Sequence, residues 1–430
     1  MKKRITCQIA AILLSALILV ASLTSCSSLL FGDYTDGGIT NSGEGTDFGE
    51  LELIDQIFRS LSILELDEDV LMEAVLKAYV SATGDKYAEY FTAEEYERFT
   101  DENQGEMVGV GISVIQNTEL SCIEIINVLP DSPAILAGVL PGDYITYVGL
   151  GENKQSVAEI GYTQALDLLV GEKGTKAEFV VLRDGEEIEF SIVRDKVNSV
   201  SVTGRACEIA GYENVGIIKI TEFNLTTPEQ FEKEVDKLLA SGCEKFVFDV
   251  RYNPGGDLRS IQAVLSYFLN DGDTFIRIVD NKGNETTQKI SAVQYKGDYA
   301  SCSIEKKDIA KYRDLDFAVL TNGSTASAAE LFTSVLMDYG LSITVGETTY
   351  GKGTMQTTYS LESYGYGGAL KLTTKYYNPP LSESYEGKGI TPDFVEELDE
   401  ALQNVNIYKI TDEEDNQLRR AITELYNKNK

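Results

Sequence analysis

The apolar residues of this chain recur with different spacings in different stretches. Between residues 51 and 105 they return every three or four positions, beginning with Leu51 and Ile54, which predicts helices. From 106 to 197 apolar and polar residues alternate in brief runs between turn residues, which predicts strands. The predicted elements of this β-rich stretch are strands at 108–114, 123–128 and 177–183 and a helix near 163–170.

Strands and amphipathic helices alternate after residue 198. The predicted strands are 215–220, 245–250, 317–320 and 342–345, and the predicted helices are 227–240, 260–269 and 328–339. Such alternation favours an α/β core with a partly parallel sheet. Residues 412–430 have a charged, helical pattern, which is read as either a dimerisation arm or a solvated end. The expected fold class is therefore a multidomain α+β or α/β protein, with a helical N-terminal segment, a β-rich domain and an α/β core over 198–430.

The first 25 residues are typical of a secretory signal peptide. A basic start precedes an apolar run, Ile9–Leu23, which is too short for a comfortable membrane span. The run ends in Leu-Thr-Ser-Cys, which resembles the bacterial lipoprotein cleavage box, so Cys26 would carry the lipid; an ordinary signal peptide is the alternative. Residues 26–50, rich in Ser, Gly, Thr and Asp, predict a flexible linker. We expect a lipid-anchored protein on the extracytoplasmic face of a bacterial cell-envelope membrane.

The composition limits the kinds of catalytic site and partner that the chain can have. The 430 residues include 37 Lys and Arg against 69 Asp and Glu, a formal net charge of −32, and no His. Without an imidazole, Ser-His-Asp and Cys-His hydrolases are excluded, as are His-based zinc sites. The acidity argues against nucleic acid as a partner. The cysteines after Cys26 are far apart and are interpreted as buried small residues rather than a disulfide or metal site. They are Cys122, Cys207, Cys243 and Cys302.

Two turns between a strand and a helix carry candidate chemistry. Around Gly255-Gly256, consecutive glycines expose backbone N–H groups, which suits an oxyanion, although a plain turn is the alternative. At 321–331 the chain offers Ser324, Thr325 and Ser327 as nucleophile candidates. The alternative there is a helix N-cap serine, which is the commoner role at such a place.

A lysine between two glycines, Lys352, is the third candidate. If neighbouring segments bury it, its pKa falls, because burial disfavours the charged form, and it can then act as a base. An exposed loop lysine is the alternative. The phosphate-loop pattern fails here, because a glycine follows the lysine where Ser or Thr is required.

The stretch 131–145, with its Ser-Pro-Ala, Ala-Gly and Gly-Asp spacing, resembles the PDZ domain. Such domains bind a protein's C-terminus by adding it as a strand. The resemblance implies that the backbone of a glycine loop, made of Gly109, Val110, Gly111 and Ile112, holds the terminal carboxylate. A domain that only packs is the alternative.

Taken together, residues 68–398 resemble the C-terminal processing peptidases, also called tail-specific proteases. These enzymes use a Ser-Lys dyad in which Glu follows the serine by three residues and the lysine follows it by 25. Ser327, Glu330 and Lys352 match that pattern. The resemblance therefore implies that Ser327 is the nucleophile and that Lys352 is its base.

The resemblance assigns further roles. Gln356 would orient the lysine, and the backbone N–H groups of Gly256 and Ala328 would form the oxyanion hole. Asp338 matches an acidic position of the family, with a structural role at a helix end as the alternative. Val170 stands where the family often has an arginine that some members link to PDZ-controlled activation, which puts that switch in doubt.

The function predicted from these residues is that of a lipid-anchored serine endopeptidase. It would recognise exposed apolar C-termini of proteins or peptides and cleave through an acyl-enzyme, with no cofactor or metal. Its activity would rise as Lys352 loses its proton. Its partners would be those substrates, the membrane through the lipid and, in one reading of the C-terminal helix, a second copy. An adaptor with an inactive peptidase core and a structural lipoprotein are the alternatives.

Overall fold

The computed structural model describes residues 48–118, 120–129, 131–403, 405 and 407–427. The predicted signal peptide, Cys26 and nearly all of the predicted linker lie outside these residues. The chain divides into two units between Leu71 and Met72. Among the described residues, no helix is both long enough and apolar enough to cross a membrane.

Helix α1 (Gly49–Leu61) forms most of the described part of the first unit. Its apolar residues recur as the sequence predicts, but all of them are exposed. Arg59 bonds the carboxylates of Asp55 and Glu68, where helix α2 (Glu68–Ala82) begins. The division between the units falls within α2.

The second unit continues with β1 (Glu89–Phe91) and α3 (Ala93–Asn103). The Thr92 hydroxyl accepts the Glu95 N–H, and the Glu95 carboxylate accepts the Thr92 N–H, so a capping box starts α3. The prediction of helices over 51–105 is correct except at β1. A strand of three residues is too short for alternation to reveal.

Residues 106–198 form a β-rich region. Its elements are β2 (Glu106–Gly109), β3 (Ile112–Asn117), β4 (Cys122–Val128), α4 (Pro133–Ala137), β5 (Tyr144–Val148), β6 (Gln155–Ser156), α5 (Val157–Ile160), α6 (Tyr162–Leu169), β7 (Lys176–Arg183), β8 (Glu186–Val193) and β9 (Asp195–Asn198). The main sheet is antiparallel in the order β3-β4-β5-β7-β8, with β6 beside β5, while β2 pairs with β9. Among the described strands, β3 therefore lies at an edge of this sheet.

The α/β core follows the predicted alternation. Its elements are β10 (Val202–Ala206), β11 (Val215–Ile220), α7 (Thr227–Ala240), β12 (Lys245–Asp249), α8 (Leu258–Ser266), β13 (Thr274–Asp280), β14 (Glu285–Lys289), β15 (Asp316–Thr321), α9 (Ala328–Asp338), β16 (Ser342–Gly346), β17 (Thr354–Ser360), β18 (Ala369–Asn378), β19 (Phe394–Val395) and α10 (Asn416–Asn427). One sheet has the order β10-β11-β12-β15-β16-β19 and is parallel except between β10 and β11, which confirms the expected fold class.

Both faces of this sheet are buried. Along β12, Phe246 and Phe248 pack into the cluster that includes α7, α8 and α9, whereas Val247 packs into the cluster that includes α10. The buried residues of α10 are Leu418, Ala421, Ile422 and Leu425 among its apolar positions. The interpretation of the C-terminal segment as a solvated end is therefore wrong, because its helical apolar stripe covers one face of the sheet. The four cysteines predicted to be buried are buried.

The core also contains a second, antiparallel sheet. Its order is β1-β18-β13-β14, and β17 pairs along the other edge of β18. Strand β1 pairs with the start of β18 and β13 with its end, which leaves a gap around Thr373 on that edge. This sheet carries the segment that follows Lys352.

Candidate active site

Ser327 lies in the turn between β15 and α9. Its backbone has φ +55° and ψ −120°, which residues other than glycine rarely adopt. Its N–H donates to Oε2 of Glu330 at 2.9 Å, and its carbonyl accepts the N–H of Leu331 at 2.9 Å. A rare conformation held by such bonds is common at functional sites.

The glycine turn after β12 packs against this serine. Strands β12 and β15 are parallel neighbours, so their carboxyl ends meet at one edge of the sheet. The Asn253 carbonyl accepts the Ala326 N–H at 2.9 Å. Gly255 has φ +107°, and a Cβ added there would lie 2.7 Å from Cβ of Ser327. Only glycine lets the two turns approach this closely.

Two backbone N–H groups near Ser327 have no acceptor within the described part of the chain. They belong to Gly256 and Ala328. Phe223 holds the first turn in place, because its N–H donates to the Gly255 carbonyl and its own carbonyl accepts the Asp257 N–H. The arrangement leaves both donors available to a substrate oxygen.

Lys352 lies in the loop between β16 and β17. Gly351 before it has φ +89°, and a Cβ there would lie 2.7 Å from the amide nitrogen of Gly389. The Gly387 N–H donates to the Gly351 carbonyl at 2.9 Å, and the Tyr377 hydroxyl donates to the Lys352 carbonyl at 2.7 Å. The loop that contains Gly387 and Gly389 thus packs directly on the lysine loop.

The amine of Lys352 is partly enclosed. Its Nζ lies 4.3 Å from the centre of the Tyr87 ring. Burial lowers the pKa of Lys352, and the positive charges of Lys371 and Lys86 lower it further, while Glu386 and Glu330 oppose the change. A lowered pKa increases the neutral fraction that a general base requires.

Glu330 joins the two segments. Its carboxylate is fully buried. Oε2 accepts the N–H groups of Ser327 at 2.9 Å and Lys352 at 2.8 Å, while Oε1 accepts the Thr349 hydroxyl at 2.5 Å and the Gly351 N–H at 2.7 Å. Sequence reasoning uses Glu330 only as a spacing marker and misses this role. A lone acidic residue in the apolar run that starts α9 is the signal that could have indicated it.

Other predicted contacts are not formed. Within the described chain, no hydrogen bond joins the Ser327 hydroxyl to the Lys352 amine. Gln356 lies on β17 and donates to the hydroxyls of Thr354 and Thr373, both at 3.2 Å. Its orienting role toward Lys352 therefore stays a prediction.

Asp338 has a structural role at the end of α9. Its carboxylate accepts the N–H groups of Leu381 at 2.8 Å and Ser382 at 3.0 Å. It thereby fixes the loop after β18, in agreement with the structural alternative weighed from the sequence.

The loop Gly109–Ile112 connects β2 to β3. The Val110 carbonyl accepts the Ala134 N–H at 2.8 Å, and the Gly111 carbonyl accepts the Leu129 N–H at 2.9 Å. Among the described residues, the N–H groups of Val110 and Gly111 donate to no acceptor. These two donors, in residues that are themselves buried, therefore stand unpaired just before the edge strand β3.

Comparison with known proteins finds similar peptidases. Residues 214–396 match the profile of "Peptidase family S41". The "Probable CtpA-like serine protease" of Staphylococcus aureus (strain COL) is 28% identical over 414 residues, which cover 95% of this chain and 77% of that protein. The protein of the same name from Staphylococcus epidermidis (strain ATCC 12228 / FDA PCI 1200) is 27% identical over 382 residues, covering 89% and 72%.

A solved structure shows the same fold. It belongs to a Bacteroides fragilis NCTC 9343 protein assigned as an S41 protease, with a TM-score of 0.52 at 16% identity over 90% of this chain and 98% of that one. The matched residues 214–396 contain both candidate turns and Lys352. The resemblance to the C-terminal processing peptidases is thus confirmed: residues 214–396 match peptidase family S41, and the chain is a serine-type peptidase similar to the CtpA-like serine proteases.

Proposed function

We propose that this peptidase is a lipid-anchored endopeptidase that binds exposed apolar C-termini through a PDZ domain and cleaves with a Ser327–Lys352 dyad. The observation that carries the dyad is the shared carboxylate of Glu330, which holds the backbones of both residues at one place. The lowered pKa of Lys352 supports its role as the base, because burial and neighbouring cations favour the neutral amine.

The reaction follows from these positions. Neutral Lys352 takes the proton of the Ser327 hydroxyl as Oγ attacks the scissile carbonyl. The N–H groups of Gly256 and Ala328 bind the oxyanion, and each such donor typically contributes about 10²–10³ in rate. The Lys352 ammonium then protonates the leaving amine. Water, deprotonated by the same lysine, attacks the acyl-enzyme, and the lysine passes this proton to Oγ of Ser327 as the second product leaves.

The Ser327–Lys352 hydrogen bond that this reaction needs forms when substrate is bound. Catalytic hydrogen bonds are often long in free enzymes and shorten in the complex with substrate. The lysine backbone is fixed by Glu330 and Tyr377, so only its side chain has to turn.

The edge strand β3 supports binding of tails. A C-terminal peptide would pair with its unpaired side as an additional strand, and the terminal carboxylate would meet the N–H groups of Val110 and Gly111. Ile112 and Val114 on β3 and Leu166 on α6 are only partly buried against the core of the region. They offer apolar contacts to the tail, which supports a preference for apolar C-termini.

The proposal also includes a membrane anchor and an oligomeric state. Cys26 carries the lipid, and the enzyme works on the extracytoplasmic face of a cell-envelope membrane. The apolar face of α10 packs on the core sheet, so a homodimer would form through another surface.

Cleavage of a tailed peptide tests the proposal. The chain without residues 1–25 is incubated with a peptide that ends in apolar residues, with a free or an amidated C-terminus. We expect the wild type to cleave the free form faster, and Ser327→Ala and Lys352→Ala to lose at least about 10³ in rate. Ser324→Ala and Lys388→Ala serve as matched controls in the neighbouring loops.

Each other outcome identifies an alternative. Equal cleavage by wild type and Ser327→Ala would refute the dyad. Binding of the free tail without cleavage by the wild type would indicate an adaptor. Neither binding nor cleavage would indicate a structural lipoprotein.

A further inference from the structure

A segment from the N-terminal part of the second unit forms one wall around the amine of Lys352. We call residues 85–91 the N-terminal strap. The Asp85 carboxylate accepts the N–H of Thr373 at 2.7 Å and its hydroxyl at 3.0 Å, which fills the gap on the edge of β18. At the other end of the strap, β1 pairs with β18 from Glu89 to Phe91. The strap is thus attached to the catalytic domain at both ends.

Between these attachments, the strap faces the lysine. Tyr87 places its ring centre 4.3 Å from Nζ of Lys352. The amine of Lys86 lies 4.7 Å from the centre of the same ring. A ring at this distance takes space that water would otherwise occupy around the amine. It also offers an aromatic face, which by itself favours a cation.

The charges around the amine come from several elements. Lys86 on the strap and Lys371 on β18 are like charges, whereas Glu330 on α9 and Glu386 in the loop after β18 are opposite charges. Lys371 is itself bonded to Glu89 of the strap at 2.6 Å. The strap therefore supplies the ring, supplies one of the two cations and holds the other.

We propose that Tyr87 and Lys86 are positioning residues of the peptidase reaction, because the ring keeps water from the Lys352 amine and the neighbouring cation disfavours its protonation. The proposal rests on the proposed Ser327–Lys352 dyad. It makes the N-terminal strap, which lies outside the part of the chain that matches the peptidase family, a component of the proton acceptor.

The pH profile of kcat/KM tests this role. Tyr87→Ala admits water to the amine, and Lys86→Met removes a like charge; we expect both to move the acid limb of the profile to higher pH. A limb that moves up by one pH unit lowers the rate near pH 7 about tenfold and leaves the high-pH plateau in place. Tyr87→Leu still excludes water from the Lys352 amine but lacks the aromatic face. The acid limb of its pH profile should therefore not lie at a higher pH than that of the wild type. Lys237→Met, at an exposed lysine paired with Glu234, is the charge-matched control.

A second readout does not depend on activity. In the Ser327→Ala protein, competitive labelling of lysine amines with acetic anhydride, followed by mass spectrometry of the peptide containing Lys352, gives the pKa of that amine. Its midpoint should rise in Tyr87→Ala and in Lys86→Met. Lys86 is exposed, so Lys86→Met is expected to fold. This variant tests the proposal if Tyr87→Ala fails to fold.

The outcomes separate the two proposals. If Lys352→Ala cleaves like the wild type, the dyad itself is refuted. If Lys352→Ala is inactive but the acid limb and the labelling midpoint are unchanged in the strap variants, the strap proposal alone is overturned. A plateau that falls without any movement of the limb would also overturn it, since that is the signature of a merely structural role.

Discussion

Ser327 and Lys352 donate their backbone N–H groups to the same oxygen atom, Oε2 of Glu330, at 2.9 and 2.8 Å. The two residues stand 25 positions apart in the chain, on opposite sides of β16. A single buried carboxylate therefore sets the distance between their backbones. Any change to that carboxylate acts on both residues at once.

Replacing this carboxylate by an amide should separate the two segments. In Glu330→Gln, an NH₂ group takes the place of one acceptor oxygen and faces N–H donors, which leaves buried donors unpaired at roughly 1–3 kcal/mol each. We expect kcat to fall by at least about 10² and the midpoint of urea unfolding to drop. Glu362→Gln, at an exposed position, should change neither. A Glu330→Gln enzyme with the kcat of the wild type would contradict the bridging role.

Adding one methyl group to the glycine turn should displace the nucleophile. In Gly255→Ala, the new Cβ would lie 2.7 Å from Cβ of Ser327, at a φ of +107°. Gly272→Ala is a matched control, because its φ is +89° but no atom lies within 4 Å of the added Cβ. Both variants should lose about 1–2 kcal/mol of stability from backbone strain, measured by thermal unfolding. Only Gly255→Ala should lose kcat; equal kcat in both would show that the contact is unimportant.

The pH dependence of activity should follow the proton on Lys352. The base acts when neutral, so kcat/KM should rise with pH through a pKa below the ordinary lysine value of about 10.4. Between the lowered pKa and that ordinary value, the unfolded chain binds more protons at this residue than the native one does. The contribution of Lys352 to stability therefore increases with pH across this window. Activity that falls steadily from acid to neutral pH would exclude the lysine as the base.

A charge placed on α6 should weaken the binding of apolar tails. Leu166 on α6 packs against the core of the β-rich region, whereas Leu168 on the same helix is 45% exposed. We expect Leu166→Lys to raise the Kd for a fluorescent apolar-tailed peptide at least about tenfold, or 1.4 kcal/mol, because the bound tail loses an apolar contact. Fluorescence polarisation with the Ser327→Ala protein measures this without cleavage. Equal affinities of Leu166→Lys and Leu168→Lys would place the tail elsewhere.

The parts of the fold that can be found from sequence are those with strong local signals. Residues 246–248 of strand β12 form a continuous apolar run because both faces of the strand are buried. Strands β17 and β18 escape prediction because they are rich in half-buried threonines, which satisfy one another through contacts such as the 2.7 Å bond between the Thr357 and Thr374 hydroxyls. Helix α10 is misjudged from sequence because its polar residues outnumber the few apolar ones that pack on the sheet.

The residues of the candidate site also differ in whether the sequence reveals their roles. Ser327 and Lys352 can be found because their spacing matches a known family. The contact of Tyr87 with Lys352 leaves no trace in sequence, since the strap is fixed by Asp85 to Thr373, 288 positions away. Glu330 is recognised from the sequence as part of the family spacing, but a local pattern cannot show which N–H groups its carboxylate accepts.

Among the described strands, β3 pairs on one side only, and its open side also allows contacts between copies of the protein. An open strand edge accepts any extended chain, including the same edge of another copy, and such pairing is a route to aggregation. The strand Ile112–Asn117 carries no charged side chain that would discourage it. The net charge of −32 counteracts this aggregation, because copies of the chain repel one another at long range and their open edges stay apart. The acidity of this chain thus protects its colloidal stability, and that protection weakens as salt screens the charge.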